Sequence, residues 1–309
     1  MTAYILRRLF FAVFVMWGAV TVIFIIMRLV PGDPVTVLLG PTATLEQIAA
    51  AQARLGLDEP LLRQYWLFLL SVVQLDFGDS LRLGGNAMDI VFSRLPATIR
   101  LAIVAMTLTL VVSFPLGIAA ALRPRGVLDR IISTLSLAGQ SIPNFWIGIM
   151  LILLMARTLR ILPSGGDLSW RHYILPAITL ALPFLSVLVR LIRSGLLEVM
   201  HEGYIQTARS KGFFERVVVF RHGVRNMLIP VVTVAGLQLG SLLGGTVIVE
   251  TVFAWPGVGR LLVDSISNRD YAVVQATIFL IAGSFVLVNL VVDVLYGYLD
   301  PRVRVGEAR

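Results

Sequence analysis

The chain has 309 residues, of which 57% are hydrophobic, with a mean hydropathy of +0.87 and a formal net charge of +8. So apolar a composition excludes an ordinary soluble domain and indicates a protein that crosses a membrane several times. The sequence contains no cysteine, which excludes disulfide, iron–sulfur and thiolate chemistry.

Six apolar stretches are each long enough to cross a hydrocarbon core of about 30 Å as a helix of about 20 residues. Their charge-free cores are Leu9–Met27, Leu101–Leu122, Ile131–Ala156, Tyr173–Val189, Met227–Val249 and Tyr271–Val292. The sequence therefore predicts an all-α polytopic membrane protein with six transmembrane helices. The start at 1–8 is too short for the basic region of a cleavable signal, so the first helix, 9–30, is expected to be retained.

Six spans place both termini on the same side, and the distribution of arginine and lysine indicates which side. The segments 1–8, 122–130, 190–226 and 298–309 hold 15 basic and 6 acidic residues, whereas 28–100, 156–172 and 254–272 hold 11 and 10. The first set, with both termini, is therefore predicted to be cytoplasmic. Because the positive charge follows this topology, it gives no support to nucleic-acid binding.

An extracytoplasmic excursion is predicted for residues 31–96, between the first and second spans. A Pro-Gly-Asp-Pro turn at 31–34 ends the first helix, and further helices are predicted over 45–55 and from about Pro60 to Val73. The excursion is either a solvated cap over the helix bundle or a landing surface for an extracytoplasmic partner, and the two roles are compatible.

Prolines interrupt two of the predicted spans. Pro143 is expected to kink the third span, and Pro176 and Pro183 break the fourth, which is the shortest. Such breaks are tolerated in a membrane where neighbouring helices or waters satisfy the freed carbonyl groups.

The segment 190–226, between the fourth and fifth spans, is the most charged part of the chain, with seven basic and three acidic residues. It is too long for a turn, has amphipathic spacing and is interrupted by Gly212. A basic helical segment on the cytoplasmic side predicts a docking element for a soluble partner. The alternative is that residues 203–222 form a solvated basic hairpin that binds anionic membrane lipid.

The fifth span carries Gly236, Gly240 and Gly244 at four-residue spacing. Small residues on one helix face let two helix backbones approach closely inside the bilayer. Packing within the subunit and packing against a second subunit both fit this pattern.

Six polar side chains lie within the predicted spans or at their edges. They are Gln140, Asn144, Gln238, Glu250, Asn289 and Asp293. Charged and polar groups at membrane depth are costly and usually face a cavity or a partner, which makes these residues candidates for a translocation path or gate. Structural pairing and helix capping remain the alternative, above all near the helix ends.

Motifs for nucleotide, metal and hydrolytic chemistry are absent from the sequence. A phosphate-binding loop requires Gly-Lys-Ser/Thr, whereas the sole lysine, Lys211, lies in Ser-Lys-Gly. His172, His201 and His222 show no metal-ligand spacing, and Ser141 lacks the following glycine of a nucleophile motif. The sequence therefore predicts that this chain is not an enzyme and binds no metal or cofactor.

Ten motifs spread along the chain carry a resemblance to a known family. They are PGDP at 31–34, LPATIRLA at 95–102, IPNFWIGI at 142–149, LPSGG at 162–166, HYILPAITLA at 172–181, YIQTARSKG at 204–212, RHGVRNMLIPVVT at 221–233, ETVFAWPGVGRL at 250–261, RDYAVVQA at 269–276 and NLVVDVLYGYLDPR at 289–302. In this order and spacing, from Tyr4 to Arg302, they resemble the permease subunits of ABC importers of the dipeptide/oligopeptide/nickel class.

The resemblance implies a type I ABC importer permease in a bacterial inner membrane, with a five-helix core over 97–305 and a cytoplasmic coupling loop at about 195–226. It also implies a homologous second permease, an extracytoplasmic solute-binding protein and two ATPase subunits, which bind the ATP and magnesium. The residues that it assigns to ATPase coupling are Tyr204, Gln206, Thr207, Ala208, Arg209, Lys211, Gly212, Arg221 and His222. Gln206 stands where the family's Glu-Ala-Ala loop has glutamate, so a specific salt bridge from that position is not expected.

Di- and oligopeptides are the substrates that the resemblance implies, with nickel, glutathione or another small solute as alternatives. A more distant alternative is a stand-alone secondary transporter or channel. Such a protein would carry charge pairs in its helix centres and would need no large docking loop, whereas this sequence shows the reverse.

Overall fold

Helices account for the fold in the computed structural model, which describes residues 2–29, 44, 46, 58–80 and 82–299. They are α1 (Thr2–Leu29), α2 (Leu61–Val73), α3 (Ala87–Leu122), α4 (Val127–Ser141), α5 (Asn144–Leu151), α6 (Arg171–Met200), α7 (Gly203–Ser210), α8 (Glu215–Val217), α9 (Arg225–Val252), α10 (Val258–Ser267) and α11 (Tyr271–Leu299). Two π-helical segments extend α5 over Ile152–Thr158 and join α8 to α9 over Val218–Val224. Within these ranges the only β pairing is an isolated bridge between Asp79 and Asn86, so the predicted all-α fold is confirmed.

Among the described residues, four single helices, α1, α3, α6 and α11, are long and apolar enough to cross a membrane. Two bent pairs pass the same test as pairs, 127–141 with 144–158 and 215–228 with 230–242, which gives up to six spans. The six predicted spans correspond in order to these four helices and two bent pairs.

The third predicted span, Ile131–Ala156, is not one kinked helix. α4 ends at Ser141, and the helix that begins at Asn144 lies at 104° to it. Pro143 has no N–H group with which to continue α4, and it restricts Ile142 to an extended backbone (φ −86°, ψ 130°). A turn sharper than a right angle therefore replaces the expected kink.

Two helices are longer than the sequence predicted. α6 runs unbroken through Pro176 and Pro183 and ends only at Met200, so the start of the charged segment 190–226 is helical. α3 begins at Ala87, so the last part of the predicted excursion belongs to the same helix as the second span.

α6 lies at the centre of the bundle, packed between α3, α4 and α9. Its residues Leu188, Ile192 and Leu196 are fully buried in a cluster with residues of α3 and α9. α3 approaches so closely at Gly117 that an added Cβ atom would lie 2.6 Å from Cγ2 of Ile192. α6 therefore links the segment that follows it, which is predicted to be cytoplasmic, directly to the core.

The described part of the external excursion packs onto the outer end of the bundle. α2 begins after Pro60, as predicted, and Val72 and Phe77 share a buried cluster with Val20 of α1 and Val258 of α10. This part of the excursion therefore covers α1, α10 and α11. The turn predicted at 31–34 and the helix predicted over 45–55 lie outside the described residues.

Candidate functional site

The segment predicted to be cytoplasmic contains the short helix α7, which rests on the end of α6. Ile205 and Ala208, three residues apart and therefore on one helix face, are buried against Val199, Met200 and Val218. Every other residue of α7 is exposed. One edge of α7 is thus held by the bundle, and the remaining surface faces outward.

A Schellman motif centred on Gly212 follows the last residue of α7, Ser210. The φ angle of Gly212 is +77°, its N–H donates to the carbonyl of Arg209 (2.9 Å), and the N–H of Phe213 donates to the carbonyl of Ala208 (3.4 Å). An added Cβ atom would meet nothing within 4 Å in the part of the chain that the structure describes. The position therefore favours glycine because of its backbone conformation and not because of crowding.

Two polar contacts hold the segment that follows α7. Arg209 donates from Nε and Nη2 to the carboxylate of Glu215 (3.1 and 2.7 Å), and this hydrogen-bonded carboxylate raises the pKa of Arg209. Asn226 donates to the hydroxyl of Tyr204 (3.0 Å). The Arg209–Glu215 pair is largely exposed, so it fixes geometry more than it adds stability.

The exposed face of residues 204–225 is termed here the aromatic–basic surface. Its aromatic members are Tyr204, Phe213, Phe214 and Phe220, which are between 43% and 82% exposed. Its cationic members are Arg209, Lys211, Arg216, Arg221 and Arg225. Exposed aromatic side chains among arginines are typical of protein interfaces.

Sequence reasoning missed the three phenylalanines of this surface. Two of them could have been identified from the sequence, because the Phe213-Phe214 pair directly follows Gly212 in a segment that is otherwise polar. The remaining residues assigned to coupling lie in the same place, with Gln206, Thr207 and Lys211 exposed. His222 is partly buried, and its ring centroid lies 6.0 Å from that of Phe213.

At the other end of α6, several motifs meet around a buried carboxylate, Glu250. Its Oε1 accepts a hydrogen bond from the hydroxyl of Thr98 (2.6 Å), and its Oε2 accepts from the N–H groups of Gly259 (2.7 Å) and Arg260 (3.1 Å). The carboxylate therefore caps the positive end of α10. Gly257 leaves room for it, since an added Cβ atom there would lie 2.3 Å from Oε1 of Glu250.

Trp255 joins the same motifs into one unit. Its Nε1 donates to the carbonyl of Ala97 (3.0 Å), and its ring packs in a T-shaped arrangement with that of Tyr173, with centroids 4.5 Å apart. Gly165 packs against the carbonyl of Phe253, where an added Cβ atom would lie 2.2 Å from the oxygen. The motifs at 95–102, 162–166, 172–181 and 250–261 thus form a buried assembly, termed here the outer junction.

Both charged candidates for the translocation path have structural partners. Glu250 is fully buried in the outer junction, where it caps α10. Asp293 of α11 forms an ion pair with Arg8 of α1 at 3.1 Å. These contacts fit the alternative interpretation, in which such polar residues pair with other side chains or cap helices. Glu250 and Asp293 do not lie in one site.

The neutral candidates are also dispersed. Gln140 accepts a hydrogen bond from Arg190, and Asn144 is partly exposed at the start of α5. Gln238 is only 8% exposed, and its Oε1 has no hydrogen-bond partner in the described part of the chain. Asn289 lies against Gly240.

The three glycines of the fifth span differ in their surroundings. An added Cβ atom at Gly236 would lie 2.9 Å from Val292, and one at Gly240 would lie 3.2 Å from Oδ1 of Asn289. Both glycines therefore pack on α11 of the same chain. Gly244 has no such neighbour within 4 Å, so the described residues give it no packing partner.

Two sequence families match the chain. Residues 113–305 match the family described as binding-protein-dependent transport system inner membrane component. Residues 1–102 match the N-terminal part described for membrane components of the same transport systems. The two matches together span most of the sequence.

Full-length relatives and a solved structure are also similar to the chain. The glutathione transport system permease protein GsiC of Salmonella choleraesuis (strain SC-B67) is 43% identical over 304 residues, covering 98% of this chain and 99% of the relative. GsiC of Escherichia coli (strain K12) is 41% identical with the same coverage. An inward-facing structure of the MetNI methionine ABC transporter is similar in fold, with a TM-score of 0.55 at 18% identity over 69% of this chain and 97% of that chain.

Proposed function

The chain belongs to the family of binding-protein-dependent transport system inner membrane components, and we propose that its substrates are short peptides of the glutathione type. It is a permease subunit of an ABC importer and a multi-pass protein of the bacterial inner membrane, and it works with ATPase and binding-protein components. The observation that carries the substrate proposal is 43% identity over 98% of the chain to a permease named for glutathione transport.

The assembly that we propose contains a second, homologous permease, two ATPase subunits and an extracytoplasmic solute-binding protein. ATP and magnesium are held by the ATPase subunits, and this chain holds no cofactor. The name of the family, which refers to a binding protein, supports the extracytoplasmic partner. The exposed aromatic–basic surface supports a cytoplasmic protein partner.

The aromatic–basic surface is the proposed contact with an ATPase subunit. Phe214 is 82% exposed and would enter an apolar groove, while the surrounding arginines and Lys211 would meet polar groups at its rim. α7 is anchored on α6 by the buried side chains of Ile205 and Ala208. A displacement of α7 by the ATPase would therefore be passed to α6 as a rigid-body movement.

α6 would carry this movement through the bundle. Its core residues pack between α3, α4 and α9, and its outer end belongs to the outer junction through Tyr173. Packed helices move as units because close-packed interiors do not deform continuously. The outer junction would thus be displaced together with the cytoplasmic end, and the pathway shared with the second permease would open on alternate sides.

Uptake by the reconstituted complex tests the substrate. The chain, its second permease, the ATPases and the binding protein are placed in liposomes, and uptake of labelled glutathione, a labelled dipeptide and nickel is compared with and without ATP inside. We expect ATP-dependent uptake of the two peptides. ATP-dependent uptake of nickel alone would overturn the substrate, and uptake without ATP would favour a secondary transporter.

Two matched variants test the docking surface. Phe214→Ser removes the most exposed aromatic group of this surface, whereas Leu168→Ser removes an apolar group that is 91% exposed in a predicted outer loop. We expect only Phe214→Ser to reduce the ATPase that co-purifies with the permease. Normal ATPase recovery with Phe214→Ser would favour the alternative in which this segment binds anionic lipid.

A further inference from the structure

An open cavity of about 320 Å³ lies beside the outer junction, on the predicted extracytoplasmic side. Its charged lining comes from three parts of the chain: Arg82 and Arg94, Arg260 and Asp264 of α10, and Asp270 before α11. Its size lies at the lower end of the range of small-molecule sites, about 300–1,000 Å³. None of the contacts described above for the outer junction involves these side chains.

Two of the three arginines are available to an anion. Arg260 donates to the carbonyl of Ala254 (2.7 Å) and lies 3.5 Å from the carboxylate of Asp264. Arg82 and Arg94 have neither an ion pair nor a hydrogen bond with the part of the chain that the structure describes. A guanidinium group offers paired N–H donors that match the two oxygens of a carboxylate.

Asp270 provides the opposite charge at the cavity wall. It is only 2% exposed, and its Oδ2 accepts a hydrogen bond from the hydroxyl of Ser80 (2.5 Å). Its Oδ1 is buried and has no hydrogen-bond partner among the described residues. A buried carboxylate oxygen without a donor is costly, and an ammonium group would supply both the donor and the compensating charge.

We propose that this cavity binds a small zwitterion, with Arg82 and Arg94 contacting its carboxylate and Asp270 its ammonium group. Free amino acids, γ-glutamyl groups and dipeptides carry this pair of charges. The proposal rests on the proposed function, because it concerns the same class of substrate. It adds a selection step in the permease itself, after release from the binding protein and before translocation.

Thiol labelling tests the site without any need for transport. Because the chain has no cysteine, a Leu83→Cys variant places a single thiol of this chain at the cavity, where Leu83 is 56% exposed. Leu168→Cys, on an outer loop that does not line the cavity, serves as the control. The assembled complex without binding protein is treated with a maleimide, and the modified fraction of this chain is followed by mass spectrometry.

The ligands are chosen to separate charge from size. Alanyl-alanine and S-methylglutathione carry free ammonium and carboxylate groups and no thiol, whereas N-acetyl-alanyl-alanine amide has both termini blocked. We expect the first two to slow labelling of Leu83→Cys several-fold and the blocked peptide to leave it unchanged. The Leu168→Cys control should be insensitive to all three. Equal protection by the blocked peptide, or no protection by any, would overturn the proposal.

Second-site variants assign the two charges. Asp270→Asn preserves a partner for Ser80 and should raise the half-protecting concentration by about tenfold or more. Arg82 and Arg94 are exposed, so the double variant Arg82→Gln, Arg94→Gln carries little risk of misfolding. It should raise the half-protecting concentration to the same extent. Unchanged protection in both backgrounds would refute the assignment. If peptides do not protect Leu83→Cys from labelling but ATP-dependent peptide uptake is intact, the zwitterion site is wrong and the proposed function stands. If peptides protect the thiol but are not taken up, the proposed function is contradicted.

Discussion

Asp129 of α4 and Arg193 of α6 form an ion pair through two hydrogen bonds, from Nε to Oδ1 (2.5 Å) and from Nη2 to Oδ2 (2.8 Å). The backbone N–H of Arg125 also donates to Oδ2 of Asp129 (2.8 Å). The pair therefore ties α4 and the turn before it to the end of α6 that carries α7. It is therefore a polar link between α4 and α6, the helix that α7 follows.

Replacing Arg193 by alanine should destabilise the subunit by roughly 3 kcal/mol, because the change leaves a buried carboxylate unpaired. The estimate lies at the lower end for buried pairs, since the side chain of Arg193 is 28% exposed. Arg190→Ala is the matched control, because Arg190 lies on the same helix and contacts the neutral Gln140. The temperature at which the purified complex loses its monodisperse elution peak measures the effect. Equal losses for the two variants would show that the ion pair has no special role.

Thr98→Val should weaken the outer junction, whereas Thr98→Ser should largely preserve it. The hydroxyl of Thr98 donates to Glu250 and accepts a hydrogen bond from the N–H of Val258 (2.9 Å), and valine removes both bonds at nearly constant volume. One of these bonds involves a charged group, so we expect a loss of about 2–3 kcal/mol for valine. Serine keeps the hydroxyl and loses one methyl group, which costs about 1 kcal/mol. The measurement is the thermal inactivation of ATP-dependent uptake, and a serine variant as labile as the valine variant would contradict the hydrogen-bond explanation.

Gly240→Leu should impair folding of the subunit, because an added Cβ atom would already lie 3.2 Å from Asn289 and 3.5 Å from Phe285. Overpacking of this kind typically costs about 1–3 kcal/mol. Gly244→Leu is the matched control on the same helix, where an added Cβ atom would have no neighbour within 4 Å among the described residues. The amount of subunit extracted in folded form and the amount of second permease that co-purifies are measured separately. A Gly244→Leu subunit that folds but does not bind the second permease would place Gly244 at the interface between the permeases.

The number, order and type of the membrane elements were predictable, because the length of each apolar stretch and the distribution of charge between the stretches can be read directly from the sequence. It did not predict the turn of 104° between α4 and α5, since the extended conformation that Pro143 imposes on Ile142 permits a range of bend angles. Nor did it predict that α6 would continue through Pro176 and Pro183. The freed carbonyls of such a helix are satisfied by its tertiary surroundings, and those surroundings are not a local property of the sequence.

The same distinction applies to the candidate residues. A docking surface at 190–226 was predicted from charge and from Gly212, which are local signals, and its cytoplasmic role stays a prediction. The role of Glu250 depended on Thr98 and on residues 259–260, and sequence alone does not show that these are neighbours. The four-residue spacing of glycines predicted close helix packing in the fifth span. α3 and α6 approach each other more closely at Gly117, which is not part of a glycine repeat and was therefore not predicted.

The left-handed backbone of Gly212 gives the most direct test of the aromatic–basic surface. Gly212→Val places a β-branched side chain at φ +77°, which costs about 1–2 kcal/mol even though the surrounding space is open. The strain should open the Schellman motif and displace Phe213 and Phe214 from their positions after α7. Because the site lies outside the membrane helices, the thermal stability of the extracted subunit should stay unchanged while the recovery of bound ATPase falls.

Gly212→Asn separates backbone strain from the mere presence of a side chain. Asparagine tolerates the left-handed conformation far better than valine does, so ATPase recovery and peptide uptake should remain close to those of the unmodified chain. Gly203→Ala, at an exposed position of α7 without a positive φ angle, should also be neutral. If valine at position 212 leaves an intact and fully active complex, the end of α7 is not a docking element. If asparagine and valine are equally damaging, the surface requires the absence of a side chain there, and the conformational explanation is wrong.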